Sequence, residues 1–168
     1  MANPPRNRHS IRLKDYDYSQ SGCYFVTVCT WRRDPTFGSI FNDAMAVNAF
    51  GKVVEEVWLE LPHLYSFVEL DEFVVMTDHF HGILFLTEGT QEPRPRRPGL
   101  PDIMRSFKSQ SARRINLVRG EIFVPIWQRG YYDHIIRNES ELGLIREYVL
   151  SNPSHKAVAI QYSQNIRK

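Results

Sequence analysis

The chain has 168 residues, of which 42% are hydrophobic and 12% aromatic, so its size and composition suit about one globular domain. Its longest apolar runs, such as residues 83–86, are too short to span a bilayer, and the N-terminal sequence MANPPRNRHS lacks the apolar stretch of a secretory signal; we therefore expect a cytoplasmic protein that does not bind membranes. The net charge of +2 hides an acidic segment (43–72) and two basic segments (1–14 and 91–119), which suit a nucleic-acid partner and equally a solvated surface.

The first part of the chain predicts a basic arm followed by a strand. Residues 1–14 are expected to form a flexible arm of the single domain 1–168, and residues 24–31, rich in β-branched and aromatic side chains, predict a strand. Cys23 and Cys29 would lie roughly 20 Å apart along it, which excludes a disulfide and favours a reducing compartment. A short extended segment at 44–47 is expected to pair beside this strand.

A helix is predicted next, with Asn48 as its N-cap and Pro62 at its end. Apolar residues follow at helical spacing: Phe50, Val53, Val54, Val57, Trp58 and Leu61. The polar face carries Glu55, Glu56 and Glu60, and we expect it to face solvent, away from any DNA.

The second half predicts a hairpin, a loop, and a helix–strand–helix sequence. Strands are predicted at 68–76 and 79–87, joined by a tight turn, and residues 88–100, rich in proline and arginine, predict a mobile basic loop. A helix over 102–118, a strand over 127–137 and a last helix opened by Asn138 follow. This order predicts an α+β fold, a mostly antiparallel sheet with helices packed on one side.

The motif VVMTDHFHGILFL carries the sharpest chemical signal. His79 and His81 lie two residues apart on a predicted strand, so both imidazoles share one face and can converge on one cation, while Phe80 points into a core. An inert pair of half-buried histidines is the alternative for this motif taken alone.

A second signal, EYVLSNP, lies at the end of the last helix. Tyr148 and Asn152 are four residues apart and share a helical face. If that face packs toward the histidine strand, Asn152 can offer an amide oxygen to a metal, with Tyr148 one turn away as a nucleophile. A core tyrosine and a helix-ending asparagine remain the alternative.

A third signal, WQRGYYDHIIRNESEL, mixes aromatic side chains with Arg129, His134 and Arg137, which suits base stacking and phosphate contact. Tyr131 and Tyr132 are competing nucleophile candidates, although strand residues with one ring in the core are the simpler interpretation.

Together these segments resemble the REP-associated tyrosine transposases, a bacterial branch of the single-tyrosine transposases with a His-hydrophobic-His motif. The resemblance runs through RLKDYDYSQSGCYFVTVCTWRR, ELDEFVVMTDHFHGI, SFKSQSARRIN and IWQRGYYDHIIRNESEL with IREYVLSNP. The family usually has Pro-Asn before the first histidine, where this chain has Thr77-Asp78; the change alters the turn and could add a carboxylate near the metal.

The resemblance implies a ferredoxin-like fold, with His79 and His81 as metal ligands, Asn152 as third ligand and Tyr148 as nucleophile. The ion would be Mg²⁺ or Mn²⁺, because two nitrogens with amide and phosphate oxygens suit these ions better than a closed zinc site. The implied substrate is single-stranded DNA with a hairpin formed from a repetitive extragenic palindrome, nicked and rejoined through a 5′-phosphotyrosine. The sequence leaves open whether the protein is a monomer or a homodimer. The predicted DNA-contacting cations are Arg12, Arg94, Arg96, Arg97, Lys108, Arg113, Arg114, Arg129 and Arg137.

Three other functions are compatible with parts of this pattern. A non-catalytic nucleic-acid-binding module would keep the basic segments and a salt-dependent affinity. A metal-dependent phosphoesterase would activate water and form no protein–DNA adduct. A structural protein with inert histidines would explain neither the Tyr-Asn helix nor the basic aromatic strand.

Overall fold

The computed structural model describes residues 13, 15–88 and 97–152, which hold six strands, four α-helices and one short 3₁₀ helix at Trp31–Arg33. The strands are β1 (Gly22–Cys29), β2 (Gly38–Phe41), β3 (Ala44–Val47), β4 (Val68–Val75), β5 (His79–Leu86) and β6 (Tyr132–Ile136). The helices are α1 (Ala49–Leu59), α2 (Leu61–Leu64), α3 (Leu100–Arg119) and α4 (Glu139–Ser151). None of the helices in these ranges combines the length and hydropathy needed to cross a membrane.

The main sheet has four strands in the order β4-β5-β1-β6, and every neighbouring pair is antiparallel. The predicted α+β fold with an antiparallel sheet is thus confirmed. Without the small β2–β3 hairpin and α2, the core elements follow the order strand–helix–strand–strand–helix–strand, with α4 appended. That is the order the ferredoxin-like label denotes, and we keep the label as an interpretation of the connectivity.

Helices cover both faces of this sheet, which corrects the prediction that they pack on one side. The first face carries Tyr24, Val26 and Phe80 and packs against α1 and α3. The second carries Phe25 and Ile83 and packs against α4. The two central strands are apolar on both faces, so each face needs a cover to keep its side chains from water.

Local capping explains where the helices begin. The side chain of Asn48 accepts hydrogen bonds from the amides of Phe50 and Gly51 at the start of α1, and the side chain of Asn138 accepts from the amide of Glu141 at the start of α4. Both predicted caps are confirmed. Pro62 does not close α1 as predicted: it lies in the first turn of α2, where its missing amide hydrogen costs no helical bond.

Two strand predictions were wrong. Residues 44–47 form β3, but they pair with β2 in a separate hairpin and not beside β1. The strand predicted over 127–137 is only Tyr132–Ile136, with one isolated bridge between Trp127 and Thr30. Regular pairing stops because Gly130 adopts a left-handed conformation and its carbonyl accepts a hydrogen bond from Lys108 on α3.

Candidate functional site

The two histidines of the motif lie side by side on β5. Their ring centroids are 4.6 Å apart, on the face of the sheet that α4 covers. The intervening Phe80 is fully buried on the other face, as alternation along the strand predicts.

His81 is held from both sides of its ring. Its Nδ1 lies 2.8 Å from the hydroxyl of Thr27 on β1, and its Nε2 lies 3.2 Å from the hydroxyl of Tyr148 on α4. Phe25 stacks on the ring with centroids 5.3 Å apart. Complete burial is the main cause that holds the pKa of His81 well below its usual 6.5, so the ring is neutral and one nitrogen keeps a free electron pair.

His79 is oriented by the residue that precedes it. Its Nδ1 lies 2.6 Å from one carboxylate oxygen of Asp78, whose other oxygen lies 3.1 Å from Nε of Arg33. Burial lowers the pKa of His79 more than the Asp78 carboxylate raises it. Asp78, which the sequence predicted as an added carboxylate, thus holds Nδ1 of His79 and leaves Nε2 for a ligand.

Helix α4 brings Tyr148 to the histidines. Tyr148 is 8% exposed, and its ring packs edge-on against Phe25 and His81. Burial raises the pKa of its hydroxyl, and a hydrogen bond with Asn152, one turn further along, acts in the opposite direction. The predicted shared face of Tyr148 and Asn152 therefore does point to the histidine strand.

Asn152 and the two histidines offer an amide oxygen and imidazole nitrogens, donor types that suit a divalent cation. Asn152 is 6% exposed, and its side chain interacts with the hydroxyl of Tyr148. A buried amide of this kind can turn its oxygen toward an incoming cation. Among the described residues no cluster of three His, Cys, Asp or Glu side chains could hold a metal, so a third protein ligand here would have to be of another type, such as this amide.

An ion pair and a histidine–carboxylate hydrogen bond fasten α4 over the site. Arg146 binds both carboxylate oxygens of Asp71 on β4, at 2.5 to 3.1 Å. Glu141, in the first turn of α4, binds His134 of β6 at 2.6 Å. The helix that carries Tyr148 is thereby tied to both edge strands of the main sheet.

Acid is expected to weaken the first of these ties. The hydrogen bonds from Arg146 hold the pKa of Asp71 below its usual value, so the pair stabilises the fold above the unfolded-state pKa of about 3.9 and loses this contribution as pH falls through the lower folded-state pKa. Asp71→Asn should therefore reduce the urea midpoint at about pH 7, and the difference from the native protein should shrink toward about pH 3. Glu69→Gln, an exposed position on the same strand, should show no such change. A pH-independent loss in Asp71→Asn would show that the side chain acts by packing and not by charge.

The predicted DNA-contacting cations divide into three groups. Arg12, Arg94 and Arg96 lie outside the described residues. Three others are engaged within the protein: Arg97 lies over the ring of Phe67 and donates to the carbonyl of Thr87, Lys108 donates to two carbonyls, and Arg114 binds Glu60. Arg113, Arg129 and Arg137 are exposed, but Arg113 lies on α3, across the sheet from the histidines.

Sequence reasoning missed two residues of this site, Thr27 and Arg33. Thr27 lies directly opposite His81 in the pairing of β1 with β5. Alternation along β1 puts Thr27 on the same face as Cys29. That Thr27 contacts His81 follows only from the pairing register of β1 with β5. Arg33 belongs to a turn after β1, and no local pattern connects that turn to Asp78.

Comparisons with known proteins agree with this architecture. No protein-family model matches the chain. An uncharacterized protein of Haemophilus influenzae is 38% identical over 163 residues, 88% of each chain. Among solved structures, a REP-associated tyrosine transposase bound to a REP hairpin superposes with a TM-score of 0.60 at 21% identity, covering 84% of this chain and 72% of that chain. A predicted transposase of Deinococcus radiodurans superposes with a TM-score of 0.52 at 18% identity, covering 87% of this chain and 98% of that chain.

Proposed function

We propose that the chain is a metal-dependent enzyme that nicks and rejoins single-stranded DNA. The proposal rests on the site geometry and on two findings: the chain belongs to one protein family with the Haemophilus influenzae relative, and it has the fold of the REP-associated tyrosine transposases. The proposed nucleophile is Tyr148, and the proposed metal ligands are His79, His81 and Asn152. The resemblance found in the sequence is confirmed at the level of the fold.

One observation carries the proposal: the hydroxyl of Tyr148 lies 3.2 Å from Nε2 of His81, although the two residues are 67 positions apart. The hydroxyl of any buried tyrosine needs a hydrogen-bond partner, and at Tyr148 the partners are a histidine of the motif and Asn152. Here the hydroxyl is directed at the nitrogen that the Thr27 contact leaves available on His81. A tyrosine beside imidazoles that could hold a cation suits phosphotyrosine chemistry, because the cation would help to activate the phenol.

Each residue of the site has a separate task. Thr27 and Asp78 hold Nδ1 of the two imidazoles and so leave both Nε2 atoms available as metal ligands. Phe25 packs against the rings of His81 and Tyr148 and fixes their relative orientation. A bound divalent cation would supply charge stabilisation for the phosphoryl oxygens and for the phenolate of Tyr148. Without such help the buried phenol stays protonated, since its pKa is raised above the usual value near 10.

The proposed reaction conserves the number of phosphodiester bonds. The Tyr148 hydroxyl gives up its proton as its oxygen forms a bond to the scissile phosphorus. The bond from that phosphorus to the 3′ oxygen breaks, and the 3′ oxygen takes up one proton and leaves as a hydroxyl. The 5′ end stays attached to the protein as a phosphotyrosine. Attack by a 3′-hydroxyl on this linkage reverses the step, frees the tyrosine and needs no ATP.

The proposed substrate is a single strand that folds into a palindromic hairpin with unpaired flanks. The solved transposase of the same fold is bound to a REP hairpin, which supports a hairpin ligand for this chain as well. Exposed Arg129 and Arg137, on either side of β6, are available for phosphate contact.

A covalent-adduct assay tests the proposal. The purified protein would be incubated with a 5′-truncated series of labelled hairpin oligonucleotides, with Mn²⁺ or with EDTA, and resolved on a denaturing gel. We expect a labelled protein band with Mn²⁺ and none with EDTA, and digestion followed by mass spectrometry should place the nucleotide on Tyr148.

The other outcomes separate the remaining functions. Metal-dependent cleavage without a protein–DNA band would indicate a phosphoesterase that activates water. Tight, salt-sensitive binding without cleavage on any hairpin would indicate a binding module and would refute the enzymatic proposal.

A further inference from the structure

The turn between β1 and β2 brings an arginine to the edge of the candidate site. Arg33 forms an ion pair with Asp78, with Nε 3.1 Å from a carboxylate oxygen, and donates a hydrogen bond from Nη1 to the sulfur of Cys29 at 2.8 Å. Both partners are neighbours of the histidines: Asp78 precedes His79, and Cys29 faces His79 across the strand pairing. The guanidinium is thus fixed beside the first histidine on the α4 face.

Three of the five donor hydrogens of this guanidinium remain unused, one on Nη1 and two on Nη2. Its second terminal nitrogen, Nη2, has no hydrogen-bond partner in the part of the chain that the structure describes, and the side chain is 50% exposed. A planar cation held by two of its nitrogens, on a side chain that is half exposed, can bind a phosphate oxygen without reordering.

The backbone of the turn is held in a conformation that its residues do not prefer. Arg32 and Arg33 both have left-handed φ angles, 56° and 62°, which glycine adopts more readily. The surroundings enforce this shape: the fully buried Thr30 donates from its hydroxyl to the carbonyls of Asp34 and Asp78, and the amide of Trp31 donates to the carbonyl of Ile126. Strain that is retained in this way concentrates at sites where a side chain must be placed.

We propose that Arg33 binds a phosphate of the DNA strand on the histidine face, with Asp78 and Cys29 as the groups that position it. The proposal rests on the proposed function for its ligand class, single-stranded DNA, but not on catalysis. The ion pair has a second effect: because Arg33 neutralises the carboxylate of Asp78, this carboxylate beside His79 does not repel an incoming phosphate.

Binding without cleavage tests the assignment. Fluorescence anisotropy would measure the affinity for a fluorescein-labelled hairpin oligonucleotide with unpaired flanks, in EDTA, over a series of NaCl concentrations. Arg33→Gln should weaken binding about tenfold at low salt and reduce the slope of log K against log salt by about one. Lys52→Gln, which makes the same charge change at an exposed position of α1 on the opposite face, should leave both quantities near the native values.

Two further variants separate phosphate contact from structural effects. Arg33→Gly suits the left-handed backbone, so it should bind as weakly as Arg33→Gln while its thermal unfolding midpoint does not fall below that of Arg33→Gln. Arg33→Gln combined with Asp78→Asn should remain weak, since the phosphate contact is still missing. Recovery of native affinity and salt slope in this double variant would show that Arg33 only neutralises Asp78 and would overturn the proposal, as would an unchanged slope in Arg33→Gln.

The adduct assay makes the test of the Arg33 phosphate contact independent of the test of enzymatic activity. If the native protein forms no adduct but Arg33→Gln still loses affinity and slope, the enzymatic proposal fails and the phosphate contact stands. If the adduct forms and binding does not depend on Arg33, the enzymatic proposal stands and the proposed phosphate contact fails.

Discussion

Tyr148→Phe is expected to abolish adduct formation, with a loss of at least about 10³-fold, because it removes the only atom of the side chain that can attack phosphorus. The phenylalanine ring keeps the packing against Phe25 and His81, so the fold should persist. The cost in stability should be limited to the hydroxyl contacts with His81 and Asn152, about 1 kcal/mol. The measurement is the denaturing-gel assay with Mn²⁺, beside a circular dichroism spectrum of each protein.

Tyr132→Phe is the matched control for this substitution. Tyr132 is 49% exposed and lies opposite Thr27, on the same sheet face as His81, so it is the nearest competing phenol. It should form the adduct at the native rate. Persistence of the adduct in Tyr148→Phe together with its loss in Tyr132→Phe would move the nucleophile to β6.

Trp58→Ala should destabilise the fold far more than Tyr148→Phe, with a loss of about 3 to 5 kcal/mol in the free energy of unfolding. Trp58 is fully buried, and its ring meets Phe80 and Phe107 with centroids 4.7 and 5.3 Å apart. It also closes over Gly82, where an added Cβ would lie 2.6 Å from the indole. A domain of this size has a free energy of unfolding of about 5 to 15 kcal/mol, so the cavity would remove a large fraction of it.

Urea unfolding followed by circular dichroism measures this effect. Leu59→Ala, on the same helix but with its side chain 53% exposed, is the control and should cost less than about 1 kcal/mol. Because Trp58 packs against the strand that carries the histidines, Trp58→Ala should also lower adduct formation in proportion to the unfolded fraction. Equal losses in both variants would mean that the aromatic cluster is not the centre of the core.

Several parts of the fold followed from local patterns. The caps at Asn48 and Asn138 and the hairpin that joins β4 to β5 depend on residues within a few positions of each other, and the structure has them as predicted. The strand 127–137 failed for the opposite reason: its first half is held by Lys108 on α3 and by Cys29 on β1, which no local pattern reveals.

The candidate site likewise has a part that local patterns predict and a part that they do not. Alternation along β5 places the two imidazoles on one face of the strand, and helical spacing places Tyr148 and Asn152 on one face of α4. Both placements hold independently of the rest of the fold. The sequence could state only conditionally that these faces meet.

The sequence by itself determined most of the longer elements, the two asparagine caps and the periodic faces that carry the chemical groups, because these depend on backbone geometry that repeats over two or four residues. Only the tertiary structure decided that α4 crosses the sheet face opposite to α1 and α3, which brings Tyr148 within 3.2 Å of His81. It also decided that Thr27, Asp78 and Arg33 surround the histidines. These contacts join residues up to 67 positions apart, and they follow from strand register and from the burial of both faces of one sheet, which act on the whole chain at once.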